Sequence, residues 1–267
     1  MKKILIIGKR GFIGNNLNKY LKKNYPVKHI NFRSINKYKK KINNFNYVIN
    51  TSINNDYIKK RYNEKHDNDL KISNLIKSNK ISYIFLSTRK VYKSQANINE
   101  KSKLNPKTNY SKNKLITEKK LISKFKKKLI VLRISNIIGD RRSNKKLHNT
   151  FIDVLFKQIN RGFILDNHRE YKDFISIDKF CEIIKEIIRK NLTGIFNVSI
   201  GEKIFLNEMI QWLNKYNPKK VLIKNKLSKN FSNFYLNNKK LMSKIKIKNS
   251  KNDLKRYCFR LSKKKFS

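Results

Sequence analysis

The sequence predicts an α/β fold in which helices cover both faces of a parallel β-sheet. Short apolar runs, each suited to one strand, alternate with longer stretches in which apolar residues recur every three or four positions. The first apolar run ends in a glycine-rich turn, and a helical pattern starts directly after it. Strands separated by helices favour βαβ units, which together form a doubly wound parallel sheet of the Rossmann type.

Five strands and three helices are predicted in the amino-terminal part. The predicted strands cover residues 3–7, 27–32, 47–50, 83–86 and 129–134. The clearest helical patterns between them cover residues 12–21, 70–76 and 111–125. Residues 1–150 are therefore predicted to form one domain.

The pattern changes after residue 150, and residues 151–267 are predicted to form a smaller α/β portion. The predicted elements are helices over residues 150–159, 177–188 and 207–216, and short strands near Phe174 and over 195–198. From about residue 219 the chain is rich in Lys and Asn with weak periodicity, and its last twenty residues are expected to be poorly ordered.

The composition is that of a globular chain with an unusual charge. Hydrophobic residues make up 39% of the 267 positions, enough for a sizeable core. Lys and Arg number 66 against 17 Asp and Glu, which gives a formal net charge of +49. Because the basic residues are spread over the whole chain, codon bias explains them better than a dedicated basic face, and nucleic acid is not expected as a partner.

Several kinds of protein are disfavoured by the sequence. No apolar run approaches the roughly 18 residues that a membrane span needs, and the first strand is too short for a signal-peptide core. Cys181 and Cys258 are far apart and have no His or Cys neighbours at metal-binding spacing, so no metal site is expected. The expected location is the cytoplasm.

The glycine-rich turn has the spacing of a dinucleotide-binding loop. Gly8, Gly11 and Gly14 are three of only seven glycines in the chain. In such a loop the first glycine permits the tight turn, the second lets the backbone approach a pyrophosphate, and the third allows close packing of strand and helix. The start of the helix, including Phe12 and Ile13, would bind the phosphates through its N–H groups.

The end of the second predicted strand favours NADP over NAD. An NAD enzyme usually has an acidic residue there, which accepts a hydrogen bond from the ribose 2′-hydroxyl. This chain instead has Asn31, Arg33 and Ser34, and the glycine-rich turn adds Lys9 and Arg10. Because guanidinium groups bind a 2′-phosphate that a carboxylate would repel, NADP is the favoured cofactor, with Arg10 and Arg33 as ligands, and NAD is the alternative.

A second motif contains Tyr110 and Lys114, which the helical spacing places on one face. A nearby ammonium stabilises a phenolate, so Tyr110 could exchange a proton with a substrate oxygen while hydride moves to or from a nicotinamide. Lys114 would also reach the nicotinamide ribose. Thr88 or Ser87, at the end of an earlier strand, would bind the same substrate oxygen.

Several segments of the chain, taken in their order, resemble those of the NAD-dependent epimerase/dehydratase family, the extended short-chain dehydrogenases that act on nucleotide sugars. The resemblance is carried by IIGKRGFIG, YVINTS, FLSTRKVY, NYSKNK, LRISNIIGDRR, REYKDFISIDKF and GIFNVSIGEKIFLNEMIQWL. It spans about residues 2–215 and implies Thr88, Tyr110 and Lys114 as the catalytic residues. Thr88 is preferred to its neighbour because it lies four residues before Tyr92.

The resemblance also implies a nucleotide-sugar substrate, a substrate-binding role for the portion over residues 151–267, and the residues that contact the substrate. Asn136 matches a family asparagine near the substrate diphosphate, and Lys172 stands where family members commonly have an arginine. Arg169 would supply the guanidinium group that Lys172 lacks. Ser87 is assigned to the substrate as well. Family members often form homodimers through the helix that carries Tyr110, although the many lysines of this helix oppose a two-fold interface.

The residues after Thr88 bear on the reaction. Dehydratases of the family have an Asp-Glu pair there, whereas this chain has Arg89 and Lys90, so dehydration is disfavoured. Reduction of a 4-keto sugar and epimerisation stay open, both in the synthesis of surface polysaccharide precursors, and the NADP argument favours reduction. The alternative is a non-catalytic protein of the same fold that binds RNA or another polyanion. The retained set of Thr88, Tyr110 and Lys114 argues against it.

Overall fold

The computed structural model describes residues 1–140, 151–166, 169–219, 221–225 and 232–267. The strands are β1 (Ile4–Ile7), β2 (Val27–Ile30), β3 (Tyr47–Asn50), β4 (Ser82–Thr88), β5 (Leu129–Ile134), β6 (Asn136–Ile138), β7 (Phe163–Asp166), β8 (Tyr171–Lys172), β9 (Phe174–Ser176), β10 (Gly194–Val198), β11 (Ile204–Phe205) and β12 (Leu222–Asn225). The α-helices are α1 (Phe12–Leu21), α2 (Asn55–Lys59), α3 (Asn68–Leu75), α4 (Asn109–Phe125), α5 (Phe151–Asn160), α6 (Ile177–Arg189), α7 (Leu206–Asn214), α8 (Lys239–Met242) and α9 (Lys251–Phe266).

The central sheet has six strands in the order β10-β5-β4-β3-β1-β2, and every neighbouring pair is parallel. The predicted doubly wound parallel sheet is therefore confirmed. From β1 the chain forms β2 on one side and then β3 on the other, so the strand order reverses at β1 and β3. The crevice outside the carboxyl ends of two such strands is where open α/β sheets bind ligands.

Both faces of the sheet are buried. Every residue of β1 is buried, and its side chains alternate between two apolar clusters. Ile4 and Ile6 belong to the cluster that contains residues of α1 and α6, whereas Leu5 and Ile7 belong to the cluster that contains residues of α3 and α4. This burial on two faces explains why the central strands read as continuous apolar runs rather than as alternating patterns.

Helix α4 begins at a side-chain cap. The Thr108 hydroxyl accepts from the Ser111 N–H at 3.2 Å, and the Ser111 hydroxyl accepts from the Thr108 N–H at 3.0 Å. These two bonds satisfy N–H groups at the start of the helix that would otherwise lack partners. They fix the first turn of α4, which carries Tyr110 as its second residue.

Most predicted elements are confirmed to within a few residues, but β2 is shorter than expected. It ends at Ile30, and Phe32–Tyr38 form a 3-10 helix whose residue Ile35 is buried. The apolar residues after Ile30 therefore pack against the sheet from a helix. The apolar run in the sequence instead predicts that the strand continues. The predicted helix over residues 150–159 corresponds to α5, and residue 150 lies outside the described residues.

The expectation of a poorly ordered carboxyl terminus is wrong. Helix α9 is capped by Ser250 and Asp253, each side chain accepting from the other residue's N–H. Its face with Leu254 and Cys258 is buried, and the Cys258 thiol lies 3.6 Å from the sulfur of Met209 in α7. Burial of this apolar face stabilises the helix despite its many lysines.

The residues after 150 contribute to the central sheet as well as to smaller pairs of strands. β10 pairs in parallel with β5, and α6 packs against α1. Outside the central sheet, the described strands pair as β6 with β9, β7 with β12 and β8 with β11. The boundary near residue 150 stays a prediction. None of the described helices is long and apolar enough to span a membrane.

Candidate functional site

The loop after β1 has a shape that only glycine allows at its first position. Gly8 has a φ of +125°, and its N–H donates to the Ile30 carbonyl at 2.8 Å. A Cβ atom at Gly8 would lie 2.2 Å from the Thr51 hydroxyl oxygen. The Gly11 N–H then donates to the Gly8 carbonyl at 3.0 Å, which closes the turn before α1. Both backbone strain and lack of space therefore require glycine at position 8.

The other two loop glycines differ in what surrounds them. A Cβ at Gly14 would lie 2.6 Å from the Gly8 carbonyl oxygen and 2.5 Å from the Thr51 hydroxyl oxygen, so helix and strand pack too closely for any side chain. A Cβ at Gly11 would lie 3.4 Å from its nearest neighbour, which is ordinary contact. Nothing in the described protein requires glycine at position 11. A pyrophosphate that approaches the backbone there would require it.

The basic residues predicted to select the cofactor lie on the surface near this loop. Arg10 is exposed in the turn, and Arg33 is exposed in the 3-10 helix directly after β2. Phe12 and Ile13 form the first turn of α1 and are half-buried. The Phe12 ring lies so close to Gly139 that a Cβ there would be 2.3 Å from Cζ. The segment after β6 therefore packs against the start of α1.

The two hydroxyl residues that end β4 have different environments. The Ser87 hydroxyl donates to Glu118 Oε2 at 3.0 Å and is buried. Its predicted role in substrate binding therefore has no support in this geometry. The Thr88 hydroxyl accepts from the Lys90 N–H at 3.3 Å and caps the short 3-10 helix Arg89–Val91. Because successive strand residues point to opposite faces, Thr88 faces away from the contacts of Ser87.

Tyr110 and Lys114 lie one turn apart on α4. Tyr110 is half-buried, and Lys114 is buried with its ammonium 4.6 Å from the centre of the Phe85 ring. No hydrogen bond joins Tyr110 to Lys114 or to Thr88 within the part of the chain that the structure describes. The ammonium is instead 3.6 Å from Asp69 Oδ2.

Two buried aspartates at the start of α3 escaped the sequence analysis. Asp67 caps the helix by accepting from the Leu70 N–H at 2.9 Å, and it also accepts from the Thr117 hydroxyl at 2.5 Å. Asp69 accepts from the Tyr83 hydroxyl at 2.8 Å, and burial raises the pKa of Asp69 while the Lys114 ammonium opposes that shift. In the sequence, the only signal was that both aspartates come just before the helix predicted over residues 70–76, in a chain with only 17 acidic residues.

A second ion pair lies inside the protein between α4 and β5. Glu118 accepts from the Arg133 guanidinium, with 3.1 Å between Nε and Oε1, and both side chains are almost completely buried. Arg133 also donates to the Tyr92 hydroxyl at 2.9 Å, which in turn donates to Asn197 at 2.9 Å. Burial raises the pKa of Tyr92 to about 12, against the opposing effect of Arg133. Asp67, Asp69, Lys114, Glu118 and Arg133 are called the α4 network below.

The residues predicted to bind the substrate diphosphate lie near β6 and β8. The Asn136 side chain donates to the Asp173 carbonyl at 3.1 Å. The Lys172 ammonium forms an ion pair with Glu170, which a diphosphate would have to replace. Arg169 is exposed, and its carbonyl accepts from the Asn233 side chain at 3.0 Å.

Two cations follow Thr88 in the chain. The Arg89 guanidinium lies 3.5 Å from the centre of the Phe234 ring, and burial lowers the pKa of Arg89 to about 10. Burial also lowers the pKa of Lys90, with further contributions from Arg89 and Lys172. The three cations therefore lie within electrostatic reach of one another, and their surroundings would favour an anionic ligand.

The sequence matches one protein family. A model of the family described as NAD dependent epimerase/dehydratase matches residues 4–199. No curated protein sequence matches the chain significantly.

Solved structures with the same architecture cover nearly the whole chain. UDP-N-acetylglucosamine 4-epimerase from Methanobrevibacter ruminantium, in complex with UDP-N-acetylmuramic acid, has a TM-score of 0.80 at 18% identity, over 98% of this chain and 97% of that chain. A dTDP-4-dehydrorhamnose reductase from Clostridium acetobutylicum has a TM-score of 0.77 at 18% identity, over 97% of this chain and 99% of that chain. The dTDP-glucose 4,6-dehydratase from Bacillus anthracis, in complex with NAD, has a TM-score of 0.80 at 17% identity, over 98% of this chain and 96% of that chain. At these identities the likeness shows the fold.

Proposed function

The chain belongs to the NAD-dependent epimerase/dehydratase family, and from this premise we propose that it is an NAD(P)-dependent enzyme that reduces or epimerises a nucleotide sugar. The observation that carries this proposal is the placing of two groups at the carboxyl edge of one sheet. The loop of Gly8 and Gly11 follows β1, and Thr88 ends β4, two strands away. The loop suits a dinucleotide, and Thr88 suits a substrate oxygen next to it.

The residues around the glycine loop fit a nicotinamide dinucleotide. Gly11 has room for a close approach to its backbone, and the N–H groups that begin α1 favour phosphate. Arg10 and Arg33 would hold the 2′-phosphate of NADP, and no carboxylate follows β2 to bind a free ribose hydroxyl. NADP is therefore the favoured cofactor and NAD the alternative.

The catalytic step is assigned to Thr88, Tyr110 and Lys114. The bound cofactor supplies hydride to the carbonyl carbon, or takes it from the alcohol carbon in the reverse direction. Tyr110 would donate a proton to the carbonyl oxygen, and the Thr88 hydroxyl would hold that oxygen by a hydrogen bond. Lys114 would hold the ribose and keep a positive charge near Tyr110.

Reduction of a 4-keto sugar is the favoured reaction. The two residues after Thr88 are cations, and neither Arg89 nor Lys90 could serve as the acid and base of a dehydration. The preference for NADP is typical of a reductase that consumes the cofactor, whereas an epimerase retains it. Asn136, Arg169 and Lys172 would bind the substrate diphosphate.

The expected setting is the cytoplasm, in the synthesis of surface polysaccharide precursors, with a nucleotide sugar as the substrate and a homodimer as the form of the enzyme. Sedimentation that shows only monomer at physiological salt would remove the homodimer. The lysines of α4 would face one another across such an interface, so the dimer should weaken as salt is lowered.

The function is tested by incubating the protein with NADPH and a panel of nucleoside-diphosphate 4-keto hexoses. We expect loss of NADPH absorbance with one of them, at least 100-fold slower in Tyr110→Phe, since general acid catalysis typically contributes about that much or more. Tyr216→Phe, at an exposed tyrosine, is the matched control and should keep full activity. Interconversion of two nucleotide hexoses without net oxidation of NADPH would favour epimerisation. The absence of both activities, with keto and hydroxy sugars alike, would overturn the proposal.

A further inference from the structure

A buried ion pair connects α3 to the proposed catalytic helix. The Lys114 ammonium lies 3.6 Å from Asp69 Oδ2, and the two side chains are only 7% and 6% exposed. The other carboxylate oxygen of Asp69 accepts from the Tyr83 hydroxyl at 2.8 Å. Both oxygens are therefore engaged, and the carboxylate has a fixed position relative to α4.

Because the pair is buried, the charge of Asp69 acts strongly on the Lys114 ammonium. At this depth little solvent screens the pair, so a carboxylate beside an ammonium reduces the field that the ammonium exerts on its neighbours. The groups that face the pair are Asp67 at the start of α3, Tyr57 of α2, Asn50 of β3, and Tyr83 and Phe85 of β4. Among these described neighbours Lys114 supplies the positive charge.

We propose that Asp69 is a positioning residue, which holds the Lys114 ammonium between α3 and α4 and keeps Tyr110 in its phenol form. This inference rests on the proposed function and deepens it. In reduction, a bound reduced nicotinamide would supply hydride to the carbonyl carbon, and the carbonyl oxygen, which receives the π electron pair, would take the proton from the Tyr110 hydroxyl. A phenol can supply this proton, whereas oxidation of an alcohol needs a phenolate to accept one. A carboxylate that offsets the charge of Lys114 thus keeps on Tyr110 the proton that reduction requires.

The sign of the expected pH effect follows from the burial of Asp69. Burial raises the pKa of Asp69 and the Lys114 ammonium opposes that shift, so the carboxylate gains its charge as pH rises through the raised value. Its effect on Lys114 is therefore fullest on the alkaline side, where tyrosines ionise. Replacing Asp69 with Asn removes that charge at every pH, and Tyr110 should then ionise at a lower pH.

The test measures the ionisation of Tyr110 by tyrosinate absorbance across a pH titration, with and without NADP. The curve of the same protein carrying Tyr110→Phe is subtracted from each curve, because the chain has 13 tyrosines. We expect Asp69→Asn to move the Tyr110 transition about one pH unit lower. Asp67→Asn is the matched control, since Asp67 contacts Tyr62 and Thr117 instead of the ammonium, and it should move the transition much less.

An unmoved transition in folded Asp69→Asn, or an equal shift in Asp67→Asn, would overturn the proposal. Asp69→Ser replaces Asp69→Asn if the latter fails to fold, because it also removes the charge. The titration without NADP needs no cofactor affinity. Failure to bind any nicotinamide dinucleotide would therefore refute the proposed function, while the ionisation curves still decide the role of Asp69.

Discussion

The glycine loop over residues 8–14 and the α4 network are built in different ways. Backbone conformation and lack of space determine the loop, where Gly8 has a positive φ and Gly14 faces a carbonyl oxygen. Buried charges determine the network, where Asp69 meets Lys114 and Glu118 meets Arg133. The loop should therefore respond to added volume and the network to lost charge.

The contrast also concerns where the few acidic residues lie. Only 17 positions carry Asp or Glu, yet Asp67, Asp69, Glu118 and Asp173 are all buried. Charged carboxylates are seldom buried unless they are paired or hydrogen-bonded. Codon bias would account for lysines spread over the surface, but it would give no reason for acids at these interior positions. The positions of the buried acidic residues are therefore informative, although the net charge of the chain does not reveal them.

The largest expected effect is on the α4 network. Glu118→Gln leaves the Arg133 guanidinium buried without its counterion, which should lower the free energy of unfolding by about 3–5 kcal/mol. Glu64→Gln breaks the Glu64–Lys120 pair, which is largely exposed, and should cost less than about 1 kcal/mol. Chemical denaturation measures both. Equal losses in the two variants would show that burial of the pair is not what matters.

The next effect distinguishes two glycines of the loop. Gly14→Ala places a methyl group 2.6 Å from the Gly8 carbonyl oxygen, so we expect a loss of about 1–3 kcal/mol in the free energy of unfolding. In Gly11→Ala the nearest neighbour is 3.4 Å from the new methyl group, and stability should stay within about 0.5 kcal/mol. Denaturant midpoints compare the two. A destabilised Gly11→Ala would mean that this glycine serves the fold alone.

The sequence was sufficient for the loop and insufficient for the network, for a physical reason. Gly8, Gly11 and Gly14 act within one turn, and α1 has the predicted bounds because its apolar spacing is local. The contact of Asp69 with Lys114 depends on how α3 packs against α4, which no short pattern encodes. The end of β2 and the order of α9 were missed in the same way, since tertiary packing decides them.

A smaller effect concerns Asp173, which lies behind the proposed diphosphate site. Burial raises the pKa of Asp173 from 3.8 to about 7, although it accepts from the Leu236 N–H at 2.9 Å. The folded state thus binds a proton more tightly than the unfolded state, so this stabilising contribution is lost as pH rises from about 4 to about 7. Asn cannot ionise at this position, so Asp173→Asn should remove that pH-dependent loss. Melting temperatures across this range test it, and an unchanged slope would contradict the account.

The smallest expected effect is at the cofactor surface. Arg33→Ala should weaken NADPH binding about tenfold, or about 1.4 kcal/mol, and leave NADH binding unchanged, because only NADPH carries the 2′-phosphate. Lys37→Ala, in the same 3-10 helix and also exposed, is the control and should change neither affinity by more than about twofold. An equal loss of NADPH affinity and NADH affinity would show that Arg33 does not bind the 2′-phosphate.

The most direct measurement is a fluorescence titration of the wild type and of Gly11→Ala with NADPH, NADP, NADH and NAD. We expect the wild type to bind, with NADPH the tightest, and Gly11→Ala to bind at least tenfold more weakly while its unfolding curve is unchanged. Binding of none of the four dinucleotides by the wild type, or equal binding by Gly11→Ala, would contradict the claim that the glycine loop holds a nicotinamide cofactor.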